Sequence, residues 1–203
     1  MKVATDKLQI EREILSAGYE YVIGVDEVGR GPLAGPVVTA AVILPLEENK
    51  IVEGVDDSKK LSAKKREKLA EEIKKAALAY AICRVEAETI DEINILQATR
   101  LCMKQAVEKL PSVSGMVLVD GNMKLDVSLP QRSVIHGDAI SYSIGAASIL
   151  AKVFRDSLMD DYAKEYPVYG FEKNKGYGTA AHIAAIREYG LCPLHRRTFT
   201  TKF

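Results

Sequence analysis

The tightest constraint on the fold is a short Gly/Pro-rich link between two apolar runs. Tyr21-Val22-Ile23-Gly24-Val25 reads as a strand ending on Asp26-Glu27, and Val37 to Leu44 reads as a second strand. Between them lies Gly29-Arg30-Gly31-Pro32-Leu33-Ala34-Gly35-Pro36. A parallel crossover takes roughly a dozen residues or more, usually a helix, so this link permits antiparallel pairing only. The sheet therefore opens with a hairpin.

Further along, strand and helix patterns alternate. A short helix is expected over Thr5 to Ala17, with Leu8, Ile14 and Leu15 as its apolar side and Gly18 as its stop. Ser62 can cap a charged surface helix running through Ala77, whose apolar positions Leu69, Ile73 and Ala76 are sparse. Ala79 to Val85 is a third strand. Ile95, Thr99, Cys102, Met103, Ala106, Val107 and Leu110 recur at helical spacing and predict a better-buried helix. Met116 to Val119 and Ser133 to Ile135 are short strands, and Ile140 to Tyr162 is a long helix of small residues. A glycine-rich loop, Gly170 to Gly178, precedes a last helix from Thr179 to Tyr189 that Gly190 can close.

The sum is an α/β fold: a mixed sheet opened by an antiparallel hairpin, flanked by helices, with a helical C-terminal portion. No linker marks a boundary. Residues 1–203 read as a single domain in which about 160 to 203 form a helical appendage, and 47% hydrophobic content in 203 residues is enough for a sizeable core.

Composition narrows the function classes. Lys+Arg and Asp+Glu both number 28, so the net charge is zero and any phosphate affinity must come from local clustering. Cys83, Cys102 and Cys192 are odd in number and widely spaced, which argues against a disulfide framework or a zinc site and fits a reducing compartment. Met1 to Lys7 runs into charged residues without an apolar region, so no secretory signal is expected. No apolar run approaches the ~20 residues that span a bilayer. The expectation is a cytoplasmic monomer.

Three segments finish on acids: Val25-Asp26-Glu27, Val119-Asp120-Gly121 and His136-Gly137-Asp138. A carboxylate just past a strand sits at the sheet edge, where loops meet. Brought together, such acids repel, and burial raises their pKa values. Bound Mg2+ or Mn2+ cancels that cost, and two ions about 3.5–4 Å apart can hold an attacking water and a leaving oxygen on one phosphate. Taken singly, each acid is more readily a solvated turn residue, and Asp138 could cap the helix near Ile140. Asp26 and Glu27 also face opposite sides of a regular strand, so both reach one ion only where that strand ends.

The motifs themselves resemble those of a known family. The run Gly24-Val25-Asp26-Glu27-Val28-Gly29-Arg30-Gly31-Pro32-Leu33-Ala34-Gly35-Pro36-Val37 resembles the opening signature of the type 2 ribonucleases H. Asp57-Ser58-Lys59-Lys60-Leu61-Ser62 is similar to the second block, Asn94-Ile95-Leu96-Gln97-Ala98-Thr99 to the third, and Val119-Asp120-Gly121-Asn122 to the fourth. Gly137-Asp138, followed by Ser148-Ile149-Leu150-Ala151-Lys152-Val153-Phe154-Arg155-Asp156, looks like the fifth, and Gly176-Tyr177-Gly178-Thr179 with His182 like the sixth. The blocks follow family order from Tyr21 to Phe199. Only about twenty residues precede the first strand, too few for the extra N-terminal domain of the type 3 relatives.

The resemblance implies a ribonuclease H-like fold, with Asp26, Glu27, Asp120 and Asp138 as catalytic ligands of two Mg2+ or Mn2+ ions. It implies that Gly29-Arg30-Gly31 reads a ribonucleotide and that Tyr177 packs against the sugar beyond the cut. Lys59, Asn94 and Gln97 match positions used near the nucleic-acid backbone. The implied activity is hydrolysis of RNA in RNA–DNA hybrids and at ribonucleotides embedded in duplex DNA, leaving 5′-phosphate and 3′-hydroxyl ends. Its implied roles are ribonucleotide excision and removal of primer remnants during DNA replication. His136 stands where many family members carry lysine, which puts a local charge near Asp138 in doubt.

These residue types suit that task. Gly29 and Gly31 lack the Cβ that would block backbone approach to a 2′-hydroxyl, and Arg30 can offer its guanidinium to the adjacent phosphate. Lys59-Lys60, Lys64-Lys65-Arg66, Lys173, Lys175 and Arg196-Arg197 are candidates for tracking phosphates; Lys59, Lys173 and Lys175 are preferred, and Lys64 to Lys68 read as a solvated face. His136, His182 and His195 raise the rival chemistry of a metal-free ribonuclease that shuttles protons on imidazoles, though none has an evident partner in sequence. Two further rivals are a Mg-binding phospho-receiver signalling domain and a non-catalytic hybrid-binding protein. The short link from Glu27 to Val37 opposes the first; the full set of four acids opposes the second.

Overall fold

Strands β1 (Tyr21–Val28) and β2 (Val37–Ile43) form the expected hairpin in the computed structural model, which describes residues 6–202. They pair antiparallel from Ile23↔Ile43 to Val28↔Val38. Strand β3 (Ala79–Val85) extends the sheet antiparallel to β2. On the other side β4 (Gly115–Asp120) runs parallel to β1, and β5 (Gln131–Val134) parallel to β4. The order β3-β2-β1-β4-β5 puts β1 at the centre of a mixed sheet.

Seven helices are described: α1 (Gln9–Ser16), α2 (Ala63–Ala76), α3 (Ala87–Glu108), α4 (Gly137–Ile140), α5 (Tyr142–Glu165), α6 (Phe171–Asn174) and α7 (Ala180–Tyr189). Strand alternation divides the core between α3 and α5. Ile23, Val25, Val117 and Val119 pack with Ala98, Cys102, Met103 and Ala106 of α3. Val38, Ala40 and Val42 pack with Ala146, Ile149 and Leu150 of α5. Among the described residues no helix is long and apolar enough to cross a membrane.

Several expected boundaries move, each for a local reason. Strand β1 continues through Asp26 and Glu27, because β2 keeps pairing with it as far as Val38. Helix α3 starts at Ala87 and is broken at Asn94, whose φ of 64° and ψ of 163° are not helical. Asp138 does not cap the long helix. It lies in the separate α4, and Ser141 caps α5 by accepting from the Ile144 amide at 3.3 Å. The glycine-rich loop contains α6. Ser62 caps α2 and Thr179 caps α7, as expected. Thr5, the expected start of the first helix, lies outside the described residues.

Helix α1 has a task that its sequence pattern did not signal. Glu11 is fully buried and accepts from Ser141 Oγ at 2.6 Å and from the Ser143 amide at 2.9 Å. Its carboxyl thus sits at the N-terminus of α5, where amides without helical partners need an acceptor. Glu11→Ala is expected to leave those donors unsatisfied at a cost of about 1–3 kcal/mol. Each kcal/mol lowers the melting temperature by roughly 2–4 °C in a chain of this size. An unchanged melting curve would show that α5 does not depend on this carboxylate.

The C-terminal helices close back onto the hairpin link. Leu33 and Ala34 share a small core with Met159, Tyr169, Phe171, Ala185 and Ile186. Gly35 donates to Leu194 O and Arg196 to Leu33 O, both at 2.8 Å, so residues 194–196 lie along the link as a strap.

Candidate active site

Adjacent strand ends bring the first acids together. Parallel pairing of β1 with β4 stops at Val25↔Val119, so Asp26 and Asp120 follow at one level on neighbouring strands. By alternation both point to the α5 face, opposite Val25 and Val119. That helix comes unusually close, because residue 24 is glycine: a Cβ there would fall 2.7 Å from Ile144 N and nearer still to the Ser143 carbonyl. Asp26 is 5% exposed and accepts from the Glu27 amide at 2.7 Å. Burial drives its carboxyl well above the usual carboxylate range; Glu27 and Asp120 add to the rise, and the Ser148 hydroxyl opposes it.

The other acids join from three sides. Asp120 Oδ1 accepts from the Gly137 amide at 2.7 Å, which fastens the start of α4 to the end of β4. Burial and then Asp138 raise the Asp120 pKa, against the amides of Gly137, Asp138 and Gly121. Burial also raises Glu27, with Asp120 adding to it and Arg30, 3.5 Å from Oε1, working against it. Glu27 Oε2 is buried with no hydrogen-bond partner. Although β1 does not end at these acids, β4 does. Beyond that edge Asp26 and Glu27, on opposite faces, both feel Asp120.

Asp138 is 7% exposed, with Lys59 Nζ 3.6 Å from its Oδ2. Burial works against the Lys59 charge, but Asp138, Asp57 and Asp26 outweigh it and raise the ammonium above its ordinary value. A cation from a distant segment thus stands beside Asp138, although His136 itself is exposed in a left-handed turn with φ 57°. Among the described residues no group of three or more His, Cys, Asp or Glu side chains is placed closely enough to hold a metal ion as it stands.

The two glycines of the Gly29-Arg30-Gly31 turn have different surroundings. Gly29 is buried with φ 92°, and a Cβ on it would meet Arg155 Cδ at 2.7 Å and Pro36 O at 2.8 Å. Gly31 is exposed, and a Cβ there would have only Tyr177 Cε1 within reach, at 3.8 Å. Arg30, Gly31 and the half-exposed Tyr177 ring therefore share one surface.

Other expected residues fall elsewhere. Asn94 Oδ1 accepts from the amides of Leu96 and Gln97 at 3.0 and 3.2 Å, so it caps the second half of α3. Among the described residues neither Asn94 nor Gln97 bonds to the acids or to the hairpin link. Of the basic candidates, Arg196 is fully buried and Lys175 is paired with Asp160. Arg66 donates to Ser58 O and Leu61 O at 2.9 and 2.6 Å. Lys59, Lys60, Lys64, Lys65, Lys173 and Arg197 remain exposed. His182 and His195 are buried with their Nε2 atoms 3.1 Å apart, a partnership hidden by thirteen residues of separation. Ser148, Arg155 and Glu11 were missed as individual residues. The available signal for Arg155 was its helical spacing from the small residues Ala147 and Ala151.

A family model described as Ribonuclease HII matches residues 23–202. The Ribonuclease HII of Caldicellulosiruptor saccharolyticus is 54% identical over 201 residues, covering 98% of this chain and 97% of that one. The chain belongs to the ribonuclease HII family. Ribonuclease H2 from Pyrococcus horikoshii has a TM-score of 0.74 at 26% identity, over 90% of this chain and 96% of that one. Bst ribonuclease HIII, in a structure with Mn2+, shares the fold with a TM-score of 0.69 at 18% identity, over 99% of this chain and 70% of that one. As a ribonuclease HII, the enzyme cleaves the RNA of RNA–DNA hybrids and ribonucleotides in DNA, and it depends on a divalent metal.

Proposed function

We propose that Asp26, Glu27, Asp120 and Asp138 are the catalytic residues and hold two Mg2+ or Mn2+ ions. The supporting observation is one electrostatic field shared by four carboxylates from three segments, in which burial and mutual repulsion raise Asp26, Glu27 and Asp120. The buried, unpartnered Glu27 Oε2 fits the same reading, since hard divalent cations prefer carboxylate oxygen. Such ions, when bound, supply the positive charge that activates water and steadies the leaving oxygen on the phosphate.

The chain's own residues then choose the bond. Gly31 leaves the backbone open to a ribose 2′-hydroxyl, the group that distinguishes RNA. Arg30 reaches the adjoining phosphate while touching Glu27, and Tyr177 offers a ring face to the sugar beyond the cut. Lys59 and Lys173 contact the backbone without reading sequence, which makes binding fall with salt. Asn94 and Gln97, both exposed at the break in α3, lie near the backbone as well, with Asn94 also capping the second half of that helix. The three cysteines are free, in keeping with a cytoplasmic location, and we read the protein as a monomer acting as one domain.

The test is a DNA duplex carrying one ribonucleotide, incubated with Mg2+, Mn2+ or chelator, with the cut ends mapped. The expected products carry 5′-phosphate and 3′-hydroxyl ends and vanish in chelator. A cyclic phosphate, or cutting that survives chelation, would overturn the metal reading.

A further inference from the structure

The link bearing Gly29, Arg30 and Gly31 is gripped by two buried arginines whose donors go to main-chain carbonyls. Arg155, on α5, donates to Pro36 O at 3.0 Å, Ala34 O at 3.2 Å and Lys175 O at 2.9 Å. Arg196 donates to Gly29 O at 2.5 Å, to Arg30 O at 2.8 Å, and to Gly35 O at 3.0 and 2.8 Å. Both side chains are fully buried, and among the described residues neither is ion-paired. Burying a charge costs several kcal/mol even when it is well bonded. Burial accordingly lowers both arginines, Arg196 to about 9 with the Arg155 charge adding to the fall. A neutral side chain could fill this space more cheaply, so the fork geometry itself matters.

The residue beside Arg196 acts on the other loop. His195 Nδ1 accepts from the Cys192 amide at 3.0 Å, which assigns the proton to its Nε2. That proton is donated to His182 Nε2 at 3.1 Å, and His182 Nδ1 donates to Tyr177 O at 2.9 Å. One tautomer of each ring satisfies the whole chain. Burial lowers both imidazoles, His195 to about 4, so the rings stay neutral. Tyr169 and Phe171 pack around them. The strap of residues 194–196 therefore holds the Gly31 loop through Arg196 and the Tyr177 loop through His195.

We propose that His195 and Arg196, backed by His182 and Arg155, are positioning residues that set the spacing between Gly31 and Tyr177. That spacing determines the requirement for ribose on one side of the cut and deoxyribose on the other. The inference rests on reading Gly31 and Tyr177 as the sugar-contacting groups. The Leu33 and Ala34 amides donate to Gly176 O at 2.8 and 3.3 Å, so the two loops meet directly there, and the pins fix how Gly31 and Tyr177 sit about that junction. A displacement of about 1 Å is enough to cost on the order of 100-fold in rate.

The test compares two substrates: a duplex with one embedded ribonucleotide and a hybrid with an uninterrupted RNA strand. His195→Phe keeps a ring against Tyr169 and loses both hydrogen bonds; Arg196→Lys keeps a charge and loses the fork. Each variant is expected to lower the ratio of single-ribonucleotide to hybrid cleavage on the order of 10- to 100-fold, with cut sites shifting off the junction. His195→Gln, whose amide can still reach His182, should recover the wild-type ratio. A merely structural role lowers both rates by one factor, through the folded fraction, and that outcome or an unchanged ratio overturns the inference. Should His195→Phe not fold, Arg196→Lys carries the same comparison. If the wild-type enzyme itself shows no junction preference, the reading of Gly31 and Tyr177 fails instead.

Discussion

Asp120→Asn is expected to abolish cleavage and, in metal-free buffer, to raise the melting temperature. The amide oxygen can still accept from Gly137, as Oδ1 does now at 2.7 Å, so the end of β4 stays fastened to α4. What disappears is a negative charge facing Asp26, Glu27 and Asp138. Without it the proposed cation site is weakened and turnover should fall on the order of 1,000-fold or more. The stability change has the opposite sign. Because burial and Asp138 raise the folded-state pKa of Asp120, its contribution to stability is present below the unfolded pKa and lost as pH rises through the folded one. At neutral pH the carboxylate therefore destabilises the metal-free fold, and removing it should recover about 1 kcal/mol, or roughly 2–4 °C. Added Mg2+ or Mn2+ should raise the wild-type melting temperature and leave the variant little changed. Scanning calorimetry with and without chelator, beside a hybrid-cleavage assay, reads both effects. A variant that melts below wild type in chelator, or turns over normally, defeats the reading.

The parts of this design that were legible in the sequence are those set by neighbours along the chain. The hairpin was readable because the Gly29–Pro36 link leaves no room for a crossover. Helices α2 and α7 were readable because Ser62 and Thr179 are local caps. The acids stood out because apolar runs stop at or near them. The family motifs then supplied what spacing left open, and the model match over residues 23–202 bears out the family.

What stayed hidden depends on groups that meet only in three dimensions. Nothing beside Gly29 announces that its missing Cβ makes room for Arg155, more than a hundred residues away. Arg196 looked like half of a basic pair suited to phosphates, and turns inward because four hydrogen bonds from its guanidinium to the carbonyls of Gly29, Arg30 and Gly35 offset its burial. The imidazoles of His182 and His195 seemed solitary until the fold brought their Nε2 atoms within 3.1 Å of each other. Asn94 sits within a helical pattern, yet its side chain caps the segment after it, a choice that apolar spacing does not record.

Gly24→Ala is expected to be far more damaging than a single methyl group suggests. Residue 24 lies in the central strand, registered with Val42 on one side and Leu118 on the other, so the strand cannot move aside. The atoms a Cβ would strike belong to the backbone of Ser143 and Ile144, at the start of α5. That backbone is itself held by Glu11 and Ser141, and no flexible side-chain tip is available to yield. Relief requires α5 to lift off the sheet, carrying Ser148 away from Asp26 and Arg155 away from the hairpin link. The cost should reach about 3 kcal/mol or more. In a chain of this length that is a fall on the order of 6–12 °C in melting temperature. Gly31→Ala provides the contrast: with only Tyr177 near its new methyl, it should melt within about 0.5 kcal/mol of wild type and lose cleavage at ribonucleotides. On the proposed reading, Gly24 serves packing and Gly31 serves the substrate. Melting curves that move together for the two variants would show that this division is wrong.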